Sequence, residues 1–533
     1  MEILLVVPRY NLTDKVRYDY IFPIGLGYIS AVIRKAGYNL DCINLNHIEG
    51  KIEKIISNRL NVKKYDIVMT GHIGIGYSVV EKIITTARNH LSKPKVIVGG
   101  ALVTSEKEII FDALRPDFAV VGEGEITILD LLRCIENKGE LKKVRGIIFF
   151  DKGNQVFTGY REVIKDIDKI PFPDYESLGF SEYLKNQENS AYINQTDFPK
   201  IYPILCSRGC PYQCTFCYHS LGVRYRLRSL NNIFKEIEQA VDKYKINALS
   251  IHDDLFSVNK ERLFEFCKKI KELGMKTGGL NWICQLSVNN IDKKLLETVK
   301  DAGCNVVSFG FESYSSEVLK SMRKPITPEQ IDKCVKLCMG VGVGVQGGFI
   351  FGDTAETKET AKETLDYWKN NCMGQLKLGF IQPYPGSEIY QRCVERGIIK
   401  NRLDFIKNYM AHTNWMNMTE KMSDAEIEKL KEDILEARRK YYPYVIPLKI
   451  KKTMPFRYKI RVKCKFCNKI IEYDNSTLGN RLYYTTWVAC KNCNMRLCVT
   501  SRLYKITMDK YKELDFFRKK YLLVADNLKK MRM

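Results

Sequence analysis

Short apolar runs separated by amphipathic stretches organise the first third of the chain. Residues 3–8, 40–45, 66–70, 96–98 and 118–121 read as strands, and apolar positions at helical spacing fill the gaps, as at 25–34 and 79–90. Five strands alternating with helices predict an α/β unit built on an open parallel sheet wrapped on both faces. Such sheets bind ligands beyond the carboxyl ends of their strands. From residue 201 to about 400 a strand-then-helix unit repeats roughly six times. Strands are expected at 201–205, 248–252, 280–285, 306–309, 343–351 and 376–382, with amphipathic helices such as 263–273 and 294–302 between them. That pattern predicts a (β/α)6 partial TIM barrel, with its functional groups at the carboxyl strand ends. Between the two units, residues 145–158 read as a hairpin turning at Gly153-Asn154. Pro171-Phe172-Pro173-Asp174 stiffens the linker that follows. Residues 423–441 read as a capped, charged amphipathic helix.

At 533 residues the chain is long enough for three or four domains, and 45% apolar with 11% aromatic residues excludes a disordered chain. The expected organisation is 1–140 for the first unit, 141–195 for hairpin and linker, 196–400 for the barrel, 401–450 for a helical connection and 451–533 for a small module with a tail. The N-terminus has no basic n-region, and no apolar stretch approaches the roughly 18 residues that span a bilayer, so the cytoplasm is the expected location. Eighteen cysteines in a reducing compartment point to metal and cluster ligation plus buried thiols rather than disulfides. The net charge of +23 changes the picture because it is so uneven. Residues 438–533 hold 25 Lys/Arg against 6 Asp/Glu, so a near-neutral body carries a basic C-terminal module. The module's expected partner is anionic: nucleic acid, an acidic membrane surface contacted peripherally, or a phosphorylated substrate.

The strand expected at 201–205 runs into Cys206, then Cys210, Cys214 and Cys217, spaced four and three apart. This spacing on a compact loop places three thiolates on three corners of a cubane, and a fourth iron left without a thiolate is free to bind a small molecule. Counting Cys206 as a fourth ligand gives the alternative, a zinc ion or a four-thiolate cluster. The placement after a strand, with Phe216 before the last cysteine, resembles the radical S-adenosylmethionine (SAM) superfamily. Three strand ends carry the resemblance further: Gly310-Phe311-Glu312-Ser313, then Gly347 to Gly352 with Glu356-Thr357, then Pro383 to Ser387. Thr354 stands where that family usually has proline.

The resemblance implies that Cys210, Cys214 and Cys217 hold a [4Fe–4S] cluster. It implies that SAM chelates the open iron and that one electron cleaves it to a 5′-deoxyadenosyl radical. It also implies SAM contacts at Phe216, Glu312, Ser313, Gly348, Gly352 and Glu356, with Asp253 and Asp254 near SAM or substrate. An electron donor such as flavodoxin or ferredoxin follows as a partner. The seven cysteines between Cys267 and Cys393 show no ligand spacing and read as buried small hydrophobes.

In the first unit the strand ends are glycine-rich: Gly71 to Gly74, Gly99-Gly100 and Gly122-Glu123-Gly124-Glu125. Ordinary βα turns need glycine too. Together with Pro8, however, these residues resemble the cobalamin-binding-type domain, flavodoxin/Rossmann-like in fold, that precedes many radical SAM cores. Cobalamin contacts at Pro8, Gly71, Gly99, Gly100, Gly122, Glu123, Gly124 and Glu125 are what the resemblance implies. The cobalt-ligating Asp-x-His-x-x-Gly motif is absent after the first strand, and His72 sits at the third strand's end, where it could approach the ligand. The resemblance covers residues 1 to about 400.

Cys464-Lys-Phe-Cys467 and Cys490-Lys-Asn-Cys493 form two knuckles separated by 22 residues, with Asn475, Gly479 and a β-rich stretch between. Two such pairs suit a tetrahedral four-cysteine site in a zinc-ribbon-like domain, with zinc favoured and a rubredoxin-like iron chemically open. Residues 501–533 interleave Lys and Arg with Leu, Tyr and Phe. They read as a basic amphipathic helix for an acidic membrane, or as a solvated helix packing back on the barrel.

Three functions are expected in turn. The first is cobalamin-dependent radical SAM C-methylation of an unactivated carbon. The second is C–C coupling or rearrangement by a radical SAM enzyme whose cobalamin-type domain is empty. The third is radical SAM modification of RNA recruited by the basic ribbon. RNA methylthiolating relatives carry three further N-terminal cysteines, and here that region has only Cys42 and Cys134.

Overall fold

A computed structural model describes residues 1–10, 13–72, 76–187, 196–256, 259–409, 415–455, 457–478 and 482–511. Gly74, Gly479 and the tail beyond residue 511, all used above, lie outside the described residues.

The first sheet has the order β2-β1-β3-β4-β5-β6-β7. Its parallel part comprises β1 (Glu2–Val7), β2 (Asn39–Asn44), β3 (Ile67–Gly71), β4 (Lys95–Gly99) and β5 (Phe118–Val120). Helices cover both faces, so the central strands read as unbroken apolar runs; Ile3 to Val7 are all buried. The chain order reverses between β1 and β3, the switch point where such sheets open a crevice. The hairpin extends this sheet: β6 (Ile147–Asp151) pairs antiparallel with β5, and β7 (Asn154–Phe157) with β6. Its turn is Lys152-Gly153, one residue earlier than the sequence suggests. Both have positive φ, 49° and 85°, the twist a two-residue hairpin turn needs.

β8 (Ile201–Ile204) begins the second sheet. A two-residue ladder, β9 (Ser207–Arg208) with β10 (Arg226–Leu227), then closes the cysteine loop at its base. The sheet continues with β11 (Ala248–Ile251), β12 (Asn281–Gln285), β13 (Cys304–Glu312), β14 (Gly344–Phe351) and β15 (Lys377–Phe380). All six strands are parallel and lie in chain order from β8 to β15. Capped helices alternate with them, such as Leu230–Tyr244 under Ser229 and Pro328–Val341 with its Thr327/Gln330 capping box. β13 outruns its expected end, so Gly310 to Glu312 belong to the strand, with a bulge between Gly310 and Glu312. The seven cysteines from Cys267 to Cys393 are buried, as their spacing suggests.

The helix Asp424–Tyr441, capped by Ser423 and Glu426, leads to the C-terminal module. There β16 (Tyr444–Val445), β20 (Thr485–Ala489) and β21 (Arg496–Thr500) make one small sheet. β17 (Lys449–Met454), β18 (Arg457–Lys463) and β19 (Ile470–Thr477) make another. Ile460, Val462, Tyr473, Leu497 and Val499 fill the core between them.

The module docks at the amino ends of the second sheet's strands. Asn494 donates to Gly342 O, just before β14, at 2.9 Å. The Arg496 backbone exchanges two hydrogen bonds with the Gln375 side chain, just before β15, at 2.7 and 3.2 Å. Lys491 Nζ and Asp474 N both reach Asp197, just before β8, at 2.8 and 3.1 Å. Among the described residues no helix is long and apolar enough to cross a membrane.

Candidate active site

A cavity of about 480 Å³ opens at the carboxyl edge of the first sheet. Pro8, Gly71, Gly99, Gly100 and Gly122 to Glu125, residues scattered through 118 positions of sequence, all line it, together with His72. Gly100 and Gly122 have φ of 89° and 81°, which glycine adopts without strain. A Cβ on Gly100 would stand 2.9 Å from His72 O, whereas one on Gly122 would meet nothing within 4 Å. The walls are mostly apolar, with Leu5, Val7 and Ile97 among them, so a large flat ligand can lie against backbone and aliphatic carbon. Leu205, Arg208, Ser220 and Leu221 of the second domain close the far side.

The two carboxylates of this rim do more than line a cavity. Glu123 Oε1 lies 3.0 Å from Arg208 Nη1 and 2.9 Å from Arg226 Nη1, and Glu125 Oε1 lies 2.6 Å from Arg208 Nη2. All four side chains are buried. Glu123 Oε2 also accepts from Ile164 N at 2.7 Å, and the Arg208 guanidinium sits over the Tyr28 ring. Arg208 and Arg226 are the β9–β10 ladder, so this network bolts the first domain's rim to the base of the cysteine loop. Removing one partner of a buried network strands the others. We expect Glu123→Ala to cost about 3–5 kcal/mol. The measurement is thermal melting of the full chain, and an unchanged melting temperature would show that the network contributes no stability.

A second cavity, of about 460 Å³, covers the carboxyl ends of β11 to β13 and reaches Gln346 of β14. Cys210, Cys214 and Cys217 all line it. Cys206 does not. It is buried in the main core, and its N–H donates to Asp253 at 2.7 Å. Asp253 also accepts from Ser207 Oγ at 2.7 Å, so it pins the chain where the loop begins; burial pushes its carboxyl up to about 7. Gly209 follows with φ of 80°, and a Cβ there would stand 2.5 Å from Arg224 O. At mid-loop, Thr215 N donates to Met322 O at 3.1 Å and Thr215 O accepts from Ile389 N at 2.9 Å. The loop is therefore held from three sides.

Glu312 reaches the same cavity from the end of β13, with φ of 64°, and pairs with Lys324 at 3.1 Å. Lys324 lies over the Phe216 ring, 5.9 Å from its centroid. Cys217 is exposed, and the nearby Lys324 charge favours the thiolate that ligation requires. Asp254, His219, Gln285, Ser308 and Gln346 supply the polar half of the wall. Lys324, His219 and Gln346 belong to no motif, and nothing in the sequence pattern marks their place.

The remaining predicted SAM contacts lie outside this lining. Ser313 Oγ pairs with Thr364 Oγ1 at 3.2 Å. Glu356, raised to about 7 by burial, accepts from Gly352 N at 3.1 Å and Thr360 Oγ1 at 2.9 Å. A Cβ on Gly348 would stand 2.8 Å from Lys377 O, and one on Gly352 would stand 2.2 Å from the Trp415 ring. These residues shape the turn after β14 and its approach to β15.

Residues 204–367 match the family described as the radical SAM superfamily, and residues 12–132 match the B12 binding domain. The chain carries a B12-binding domain followed by a radical SAM domain. It is an enzyme homologous to cobalamin-dependent radical SAM methyltransferases. An uncharacterized methyltransferase of Pyrococcus horikoshii is 27% identical over 407 residues, 75% of this chain and 84% of that one. The cytidylyl-2-hydroxyethylphosphonate methyltransferase of Streptomyces wedmorensis is 25% identical over 453 residues, 75% and 82% of the two chains. Among solved structures, the radical SAM methyltransferase TsrM of Kitasatospora setae, with cobalamin and a [4Fe–4S] cluster bound, shares the fold. Its TM-score is 0.59 at 17% identity, covering 74% of this chain and 76% of that one.

The residues present fit these cofactors. Three thiols open on one cavity while the fourth nearby cysteine is turned into the core, the donor set of a cubane with one iron left open. The apolar, glycine-floored cavity of the B12-binding domain suits a flat macrocycle.

The C-terminal cysteines form a separate centre. Sγ atoms of Cys464, Cys467, Cys490 and Cys493 all lie within 4.8 Å of one another, with Cys464–Cys493 at 3.8 Å and Cys467–Cys490 at 3.7 Å. A tetrahedron of sulfurs about 2.3 Å from a central ion has edges of about 3.8 Å. The two knuckles are built alike. Phe466 N and Asn492 N each donate to a cysteine sulfur at 3.4 Å, and Asn468 and Asn494 each turn with φ near 60°. Cys498 stays outside the group and contacts Thr485 Oγ1 at 3.1 Å.

Proposed function

We propose that this enzyme transfers a methyl group to an unactivated carbon of a small-molecule substrate, with SAM at the cluster cavity and cobalamin at the B12-binding cavity. One observation carries this reading: a single stretch of chain borders both cavities. Cys217, Tyr218 and His219 face the cluster side, and Ser220 and Leu221 face the other. A substrate seated along this stretch is within reach of both sides. When bound, the cluster with SAM supplies hydrogen-atom abstraction, and cobalamin supplies a transferable methyl group.

The chain's own residues bind and orient. Cys210, Cys214 and Cys217 hold the cluster; Glu312 and Lys324 face it as a buried pair. Pro8, Gly71, Gly99, Gly100, Gly122 and Gly124 line the place assigned to cobalamin, whereas Glu123 and Glu125 hold the rim through Arg208 and Arg226. The C-terminal group of four cysteines holds zinc. A small electron-transfer protein of the flavodoxin or ferredoxin kind supplies the electron.

The test is anaerobic metal and cofactor analysis after cobalamin supply. Four irons and one cobalt per chain, with SAM-dependent methyl transfer, is the expected result. Four irons without cobalt would remove the methyl-transfer reading and favour coupling or rearrangement. No iron after reconstitution would remove both.

A further inference from the structure

The outer face of the β17–β18–β19 sheet has charges that its own fold does not use. Ile450, Ile460, Val462 and Tyr473 turn inward to the module's core. The alternate positions turn outward and are cationic: Lys449 stands directly across from Arg461, and Lys451 across from Lys459. Like charges paired across strands destabilise a sheet. Glu472 and Asp474 offset Lys459 and Arg461, but among the described residues no ion pair holds Lys449, Lys451 or Lys463. Cations on an edge strand can serve to block strand pairing. That account covers β17 and not β18, which is central. Apolar side chains stand in the same patch. Ile470, across from Lys463, is 49% exposed, and Met454, set across from Arg457 by a bulge in β17, is 62% exposed.

We propose that this face docks the enzyme on an anionic phospholipid surface. Cations alone would suit any polyanion; unsatisfied cations with exposed aliphatic side chains suit an interface that offers both headgroup phosphate and acyl carbon. The occupant is not the substrate of the two cavities. The module docks at the amino ends of the second sheet, and the cluster cavity opens at the carboxyl ends. Nor is it the chain's own tail, since residues 512–533 carry 7 Lys/Arg against 3 Asp/Glu and would be repelled.

The experiment is flotation of the reconstituted full chain with vesicles of phosphatidylglycerol and phosphatidylcholine, or of phosphatidylcholine alone. Wild type is expected on the anionic vesicles only, with binding lost in high salt. Lys449→Gln with Lys451→Gln is expected to weaken it roughly thirtyfold, the change expected for two surface cations. Met454→Ser with Ile470→Ser is expected to weaken it while leaving the salt dependence intact. SAM cleavage is unchanged in both variants, which reports that they are folded. Equal binding to neutral vesicles, or full binding by the lysine variant, would overturn the proposal. So would retention of single-stranded poly(U) RNA in place of vesicles, which would assign the face to nucleic acid.

Discussion

Serine at Cys490 and Cys493 is expected to unfold the C-terminal module, the largest effect any change to this chain should have on stability. The four sulfurs lie within 4.8 Å of one another, two opposite pairs already stand at the edge length of a metal tetrahedron, and both knuckles direct backbone N–H groups at sulfur. A structural zinc ion in such a site binds with about 10–16 kcal/mol, which is folding free energy where the apolar core is small. The same knuckle carries Lys491, Asn494 and Arg496, the residues that reach the second sheet. Loss of the metal should therefore lower the melting temperature of the radical SAM domain as well. Zinc content and a melting curve of the full chain decide it. A variant that loses the metal and melts like wild type would show the site to be dispensable to the fold.

Cys214→Ala should abolish the radical chemistry. Two thiolates do not hold a cubane, and no neighbouring cysteine is placed to substitute, because Cys206 lies in the core beneath the loop. Iron and sulfide content should collapse, and SAM cleavage under reducing conditions should fall by at least about three orders of magnitude, the background set by losing the reactive group itself. Cys206→Ala is the control: it should keep its iron. If Cys206→Ala loses the cluster as well, the four-thiolate alternative gains the ground; if Cys214→Ala keeps its iron, the ligand set is wrong.

Both centres were legible because their signal is local. Spacings of four and three, or of two Cys-x-x-Cys pairs, survive in one dimension, and the parallel strands announced themselves because burial on both faces demands continuous apolar runs. What failed to show was direction. Glu123 and Glu125 sit in the expected loop, yet which way a carboxylate points depends on Arg208, 85 and 83 residues away. Lys324 pairs with Glu312 only because a bulge and a left-handed φ turn that glutamate inward, and neither leaves a mark in residue type. The hairpin turn moved by one residue because Lys152 accepts a positive φ that composition assigns to glycine or asparagine. The ribbon itself was readable, whereas its seat against Asp197, Gly342 and Gln375 was not, since a docking surface has no periodicity.

That seat has a mechanical meaning. Asp197 and Gln375 precede β8 and β15, the two outermost strands of a six-stranded sheet that does not pair them with each other. The ribbon spans from one to the other at the amino end. With the base held in this way, any widening between the outer strands would become a splay that grows along their length and is greatest at the mouth. The amino-end ties would hold in such a splay, and the strands would stay together where they are tied.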